Sequence, residues 1–114
     1  MILRLCLPMA LAATPVLFTP ALAETQVLTL SYLCDRGVEI PATYVNAEDQ
    51  SLAVIHVEGR QITLYNEVSA SGARYGWPSD GASYVWWTKG PEATLYWKEG
   101  GGEVPLLTCA EAQQ

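Results

Sequence analysis

Two short segments carry side chains able to engage a partner. In Ser69-Ala70-Ser71-Gly72-Ala73-Arg74-Tyr75, Ser71 places a hydroxyl beside a glycine. In Tyr84-Val85-Trp86-Trp87-Thr88-Lys89-Gly90-Pro91-Glu92, Lys89 places an ammonium beside another glycine, at the end of an aromatic run. Glycine permits tight turns, so both polar groups belong at loops next to strands. A hydroxyl can donate and accept, and an ammonium brings three donors on a long stem. Desolvated against a carboxylate, that ammonium makes a charge-assisted hydrogen bond stronger than its surface equivalent. Each group also has a bland reading. Ser-Gly is ordinary turn chemistry, and a lysine at a hairpin tip keeps an aromatic strand from aggregating. Spacing alone favours the bland readings.

No enzyme constellation stands beside these residues. His56 is the sole histidine and sits mid-strand in Val54-Ile55-His56-Val57. A hydrolase triad would need Ser71 near His56, and the chain has no G-x-S-x-G elbow. The acidic residues are scattered as on a solvated surface, and nothing singles out a carboxylate pair for glycoside hydrolysis. Metal ligands do not cluster. The sequence therefore points to no catalytic residue, no metal and no cofactor.

The elements that must position Ser71 and Lys89 are strands. After residue 24, period-two alternation is broken by turn residues every eight to twelve positions, the pattern of an all-β barrel or sandwich. Strands are expected over 26–35, 38–45, 52–57, 60–66, 69–75, 83–88, 93–98 and 103–109. Leu28, Leu30, Tyr32 and Cys34 should share one face, as should Val38, Ile40, Ala42 and Tyr44. Pro41 removes a ladder donor, so its strand needs an edge or a bulge there. Glu58-Gly59 reads as a tight hairpin turn. About eight short strands with hairpin connections make an antiparallel meander, which a link between first and last strands would close into an up-and-down barrel. Seven aromatics, Tyr75, Trp77, Tyr84, Trp86, Trp87, Tyr96 and Trp97, crowd the second half. Alternation separates Trp87 from Tyr84 and Trp86, so one set belongs in the core and the other faces out. Outward tryptophan and tyrosine suit a binding surface, and they suit carbohydrate stacking equally well.

The first 23 residues read as an export signal. Arg4 is their one charge, the run from Leu5 to Leu22 is apolar, and Ala21-Leu22-Ala23 has the small-x-small form of a cleavage site. Pro8, Pro15 and Pro20 argue against a stable transmembrane helix. Cys6 lies inside this run and has no lipobox before it, so a soluble periplasmic or secreted protein without membrane anchor is expected, with the folded domain over 24–114. Two cysteines remain, Cys34 and Cys109, and an oxidising compartment would pair them. Chain entropy credits such a closure with about 4 kcal/mol, a large share of the roughly 5–15 kcal/mol that a small domain has.

The full chain has six basic and twelve acidic residues, a formal charge of −6. Loss of Arg4 with the signal takes that to −7. The lack of a basic cluster argues against nucleic acid and anionic membrane surfaces as partners. A basic protein partner is the functional inference, since opposite net charge speeds encounter; charge alone favours the plainer reading that acidity keeps an exported protein in solution.

These segments resemble the MliC/PliC family of inhibitors of c-type lysozyme. The resemblance begins at Tyr32-Leu33-Cys34-Asp35 and passes through Ser69 to Tyr75. It continues from Tyr84 through Lys89-Gly90 to Leu95 and ends near Cys109. It implies an eight-stranded antiparallel barrel with a Cys34–Cys109 bridge and no enzymatic activity. It further implies that loops bearing Ser71 and Lys89 enter the lysozyme cleft and address its catalytic carboxylates. Gly72, Tyr75 and Gly90 complete the binding motifs. The chain departs from its relatives in lacking a lipobox, which fits the periplasmic branch. Its loop from Gly76 to Ser83 is also longer, so Trp77-Pro78 either add contacts to lysozyme or obstruct the approach. A carbohydrate- or cell-wall-binding module using the outward aromatics is the alternative function, and an envelope protein without ligand is a third. Oligomeric state is not legible.

Overall fold

The computed structural model describes residues 8–9, 11–17 and 24–112. Most of the 1–23 segment read as an export signal lies outside the described residues, as does the end of the 24–114 domain.

The chain forms eight strands: β1 (Gln26–Cys34), β2 (Glu39–Asn46), β3 (Ser51–Val57), β4 (Arg60–Glu67), β5 (Ala73–Gly76), β6 (Ser83–Lys89), β7 (Glu92–Glu99) and β8 (Gly102–Glu111). Each pairs antiparallel with the next, and β8 returns to β1, so the sheet is a closed barrel. The all-β barrel expected from alternation is the fold observed. Glu58 and Gly59 both have positive φ, 53° and 73°, as a two-residue hairpin requires to match the strand twist. Pro41 pairs with Ser31 of β1, while the β2–β3 ladder starts only at Ala42. The proline thus sits at a free edge, where its missing N–H costs no ladder bond. The register shift of this sheet lies elsewhere, between Leu95 and Tyr96.

Inward-facing residues fill the barrel. Trp86, Tyr32, Ile40, Ile55, Leu64 and Leu95 are fully buried. Tyr44 joins two aromatics by their polar ends: its hydroxyl accepts from Trp86 Nε1 at 2.8 Å and shares a 2.8 Å hydrogen bond with the Tyr32 hydroxyl. Burial raises the pKa of both tyrosines, because the phenolate loses its hydration in the core. The bonded triad explains how three polar atoms are tolerated there.

The seam between β1 and β8 is short. It pairs Tyr32 with Glu111, Leu33 with Ala110 and Cys34 with Cys109, and the two cysteines form a disulfide. The Asp35 carboxylate accepts from the Thr108 N–H at 2.8 Å, and Ser31 O accepts from the Ala112 N–H at 2.8 Å. The expected first-strand face is kept, with Leu28, Leu30 and Tyr32 opposite Tyr44, Ala42 and Ile40, but its burial stops short of Leu28, which is 54% exposed. The reason is this seam: β8 reaches β1 only from Tyr32 on, so the start of β1 is bordered by β2 alone.

The fifth strand is shorter than the 69–75 expected. It starts at Ala73 because Ser69 Oγ donates to Gly72 O at 3.2 Å and Gly72 has φ of 64°. Both features bend the chain out of the sheet.

Candidate partner-binding site

The Ser71 loop and the Lys89 hairpin lie together at one end of the barrel. β5 and β6 bring them there through register pairs Ala73–Thr88, Arg74–Trp87 and Tyr75–Trp86. Trp86 points into the core, so Trp87 and Lys89, one and three positions on, share the outer face.

Trp87 organises this face. Its Nε1 donates to the Ser71 carbonyl at 2.9 Å. The Lys89 Nζ sits over its ring, 4.5 Å from the centroid, and the Arg74 guanidinium carbon lies 5.1 Å from it. One half-buried indole thus holds the loop by its edge and two cations by its π system. Sequence reasoning named Trp87 only as part of an aromatic set. Its two-residue spacing from Lys89, on an outward-facing strand phase, was the available signal. Arg74 joins the site as Trp87's cross-strand neighbour, a relation that alternation along one strand does not reveal.

Gly72 closes the arrangement. A Cβ there would overlap the Thr88 carbonyl oxygen and stand 2.9 Å from Lys89 Cγ. Glycine is therefore required twice, for positive φ and for this close approach. Thr88 Oγ1 donates to the Ala73 carbonyl at 3.3 Å and adds a further tie. Gly90 takes φ of 57° as the first residue of the two-residue turn Gly90-Pro91, the glycine-first pattern of a II′ hairpin.

Ser71, Lys89 and Gly90 are exposed. Tyr75 is not: it is 6% exposed and packs on Tyr44 with ring centroids 5.6 Å apart. Burial raises its pKa. Tyr75 therefore anchors β5 in the core beneath the loop and does not itself reach the surface, because its strand phase matches that of Trp86.

Charge is unevenly used. Arg74 bridges Glu67 and Glu103, and both salt bridges found among the described residues are its own. Those hydrogen bonds, Glu103's foremost, raise the Arg74 pKa and lower that of Glu103. Lys89 makes neither bridge, so its ammonium rests on the Trp87 ring with its hydrogen-bond donors open to a partner. Beside it lies a shallow hollow of about 70 Å³ lined by Trp87, Lys89, Glu92 and Tyr96 among others. Among the described residues no group of three or more His, Cys, Asp or Glu could hold a metal. His56 is exposed on β3 opposite Gln61, away from Ser71.

Comparison with known proteins identifies relatives of the whole barrel. The family model described as membrane-bound lysozyme-inhibitor of c-type lysozyme matches residues 32–103. A membrane-bound lysozyme inhibitor of C-type lysozyme from Pseudomonas aeruginosa is 39% identical over 81% of this chain and 71% of its own length. One of the same description from Cupriavidus necator is 42% identical over 60% of this chain, which spans only about half, 52%, of that relative. Among solved structures, P. aeruginosa MliC in complex with hen egg white lysozyme superposes with a TM-score of 0.62 at 36% identity, covering 89% of this chain and 98% of the other. PliC-St, the periplasmic lysozyme inhibitor from Salmonella typhimurium, gives a TM-score of 0.64 at 29% identity, covering 77% and 100%. The chain belongs to the MliC family, whose members are lysozyme inhibitors and not enzymes.

Proposed function

We propose that this protein inhibits c-type lysozyme by inserting the Ser71 loop and the Lys89 hairpin into the enzyme's active-site cleft. The observation that carries this is the locking of the two loops to each other. Trp87 and Gly72 fix them as one exposed unit, so little ordering entropy remains to oppose binding. The related P. aeruginosa protein was crystallised with hen egg white lysozyme, which supports the same class of partner here.

The chemistry follows from the cleft's two carboxylates. Lys89 supplies a cation whose present contact is only a ring face, so its ammonium can exchange water for a carboxylate. Ser71 supplies a hydroxyl able to donate to a second oxygen. Nothing in this scheme needs bond making. A chain of net charge −6 is also drawn toward a basic enzyme before contact. Residues 1–23 are proposed as the signal that exports the domain to the periplasm or medium.

The test is titration of residues 24–114, folded and oxidised, into a c-type lysozyme degrading cell walls. Activity should fall linearly and vanish at one equivalent. Undiminished hydrolysis at micromolar excess would refute the proposal.

A further inference from the structure

The barrel wall is incomplete at a second place. β5 pairs with β4 only at Tyr65, Asn66 and Glu67, and with β6 only at Trp86, Trp87 and Thr88. The first halves of β4 and β6 consequently have no fifth-strand neighbour. The loop 77–82 leaves the sheet there, and its Pro78 has no N–H with which to continue a ladder. An open groove of about 470 Å³ occupies the gap, lined by Arg60, Gln61, Trp77, Ser83, Tyr84 and Trp97 among others. That volume is ordinary for a small-molecule site. It lies at the Ser83 end of β6, six residues and roughly 20 Å from Lys89.

Its aromatic walls are held in place. Trp97 Nε1 donates to Glu99 at 3.0 Å and the Tyr84 hydroxyl donates to Glu58 at 3.2 Å. The two rings meet edge-on with centroids 5.0 Å apart, and Trp77 leans on Tyr65 at 5.9 Å. The polar ends of Tyr84 and Trp97 are already bonded, so these residues offer ring surface. Trp77 is 44% exposed at the lip. Gln61, Ser83 and Arg60 bring amide, hydroxyl and guanidinium groups to the same groove, and Arg60 is in no salt bridge among the described residues.

Aromatic faces beside such groups suit a pyranose. Its C–H faces stack on indole and its equatorial hydroxyls bond outward to amide and guanidinium. Glu58 and Glu99, bonded to the aromatic walls, disfavour an anionic ligand. We propose that the groove between β4 and β6 is a second binding site, taking a short neutral saccharide independently of the Ser71–Lys89 face.

The test titrates the folded, oxidised chain with triacetylchitotriose and, separately, cellotriose, following tryptophan indole and backbone amide NMR signals. A saturable shift centred on Trp77, Tyr84 and Trp97, with Kd of about 1 mM or tighter, is expected for at least one sugar. It should weaken about tenfold or more in Trp77→Ala, persist in Trp77→Phe, and be unchanged in Lys89→Ala. Trp77 lies outside the core, and each variant's own spectrum reports its fold. Absence of saturation at about 10 mM would overturn the proposal. So would equal binding by Trp77→Ala, or shifts of these signals by an extended pentapeptide but by neither sugar. Lysozyme inhibition, read on the same samples, stands or falls separately.

Discussion

Gly72 lies against the Thr88 backbone so closely that a single added methyl would overlap the Thr88 carbonyl oxygen. This contact joins the Ser71 loop to the Lys89 hairpin with no side chain between them. It also makes the Ser71 loop and the Lys89 hairpin one feature at that end of the barrel.

Gly72→Ala should therefore separate stability from function. The positive φ costs about 1–2 kcal/mol for alanine, and the overlap must be relieved by moving the loop. The barrel should remain folded, because its core lies beneath Ala73. Lysozyme inhibition should weaken about tenfold or more, checked by inhibition titration alongside the melting curve. A variant with lowered melting temperature and unchanged inhibition would show that the close approach does not position Ser71.

Trp87 offers two contributions that substitution can divide. Trp87→Phe keeps a ring under Lys89 but removes the N–H that holds the Ser71 carbonyl. Trp87→Ala removes both. Inhibition should fall several-fold in the first and further in the second, since a neutral hydrogen bond contributes about 1 kcal/mol and a cation–π contact about 0.5–1. Equal losses would place the whole effect in the N–H hydrogen bond to Ser71.

The Arg74–Glu103 pair sets an acid limit. Arg74 holds Glu103 below its ordinary value of 4.5, so the folded state binds the carboxylate proton less readily than the unfolded chain does. The stabilisation is complete above the ordinary value and is lost as pH falls through the lowered one. Melting temperature should drop as pH falls below about 4.5, and Glu103→Gln should make that drop shallower. Melting curves across this range read it directly; an unchanged slope would remove Glu103 from the acid response.

The disulfide closes a loop 75 residues in separation at the short β1–β8 seam. Its reduction, or Cys34→Ser with Cys109→Ser, should cost about 4 kcal/mol in urea unfolding. A loss below about 1 kcal/mol would mean that the hydrogen bonds of Asp35 and Ser31 hold the seam unaided.

The barrel was legible because its cause is local. Ile40, Ala42 and Tyr44 alternate in sequence and are buried in space, and Glu58-Gly59 announces its own turn. Leu28 keeps its place on the expected face, yet its exposure depends on where β8 ends, a relation across most of the chain. The segment 69–72 looked like strand because only Ser69 and Gly72 break it, and their hydrogen bond is invisible to alternation. At the site, Ser71 and Lys89 were recognisable from motif, whereas Trp87's hold on both required the cross-strand register. Tyr75 belongs to the same motif, yet its phase sends it inward. The Trp77 groove follows from the shortness of β5, which the sequence overstated.

The most direct measurement is the inhibition constant toward a c-type lysozyme for the wild-type domain, Ser71→Ala and Lys89→Ala, each confirmed folded and oxidised. Two loops acting in the cleft predict tight one-to-one inhibition that weakens in both variants, more in Lys89→Ala because a desolvated charged contact is lost. Inhibition equally strong in all three proteins would contradict the account, for the partner would then be bound by another face of the barrel.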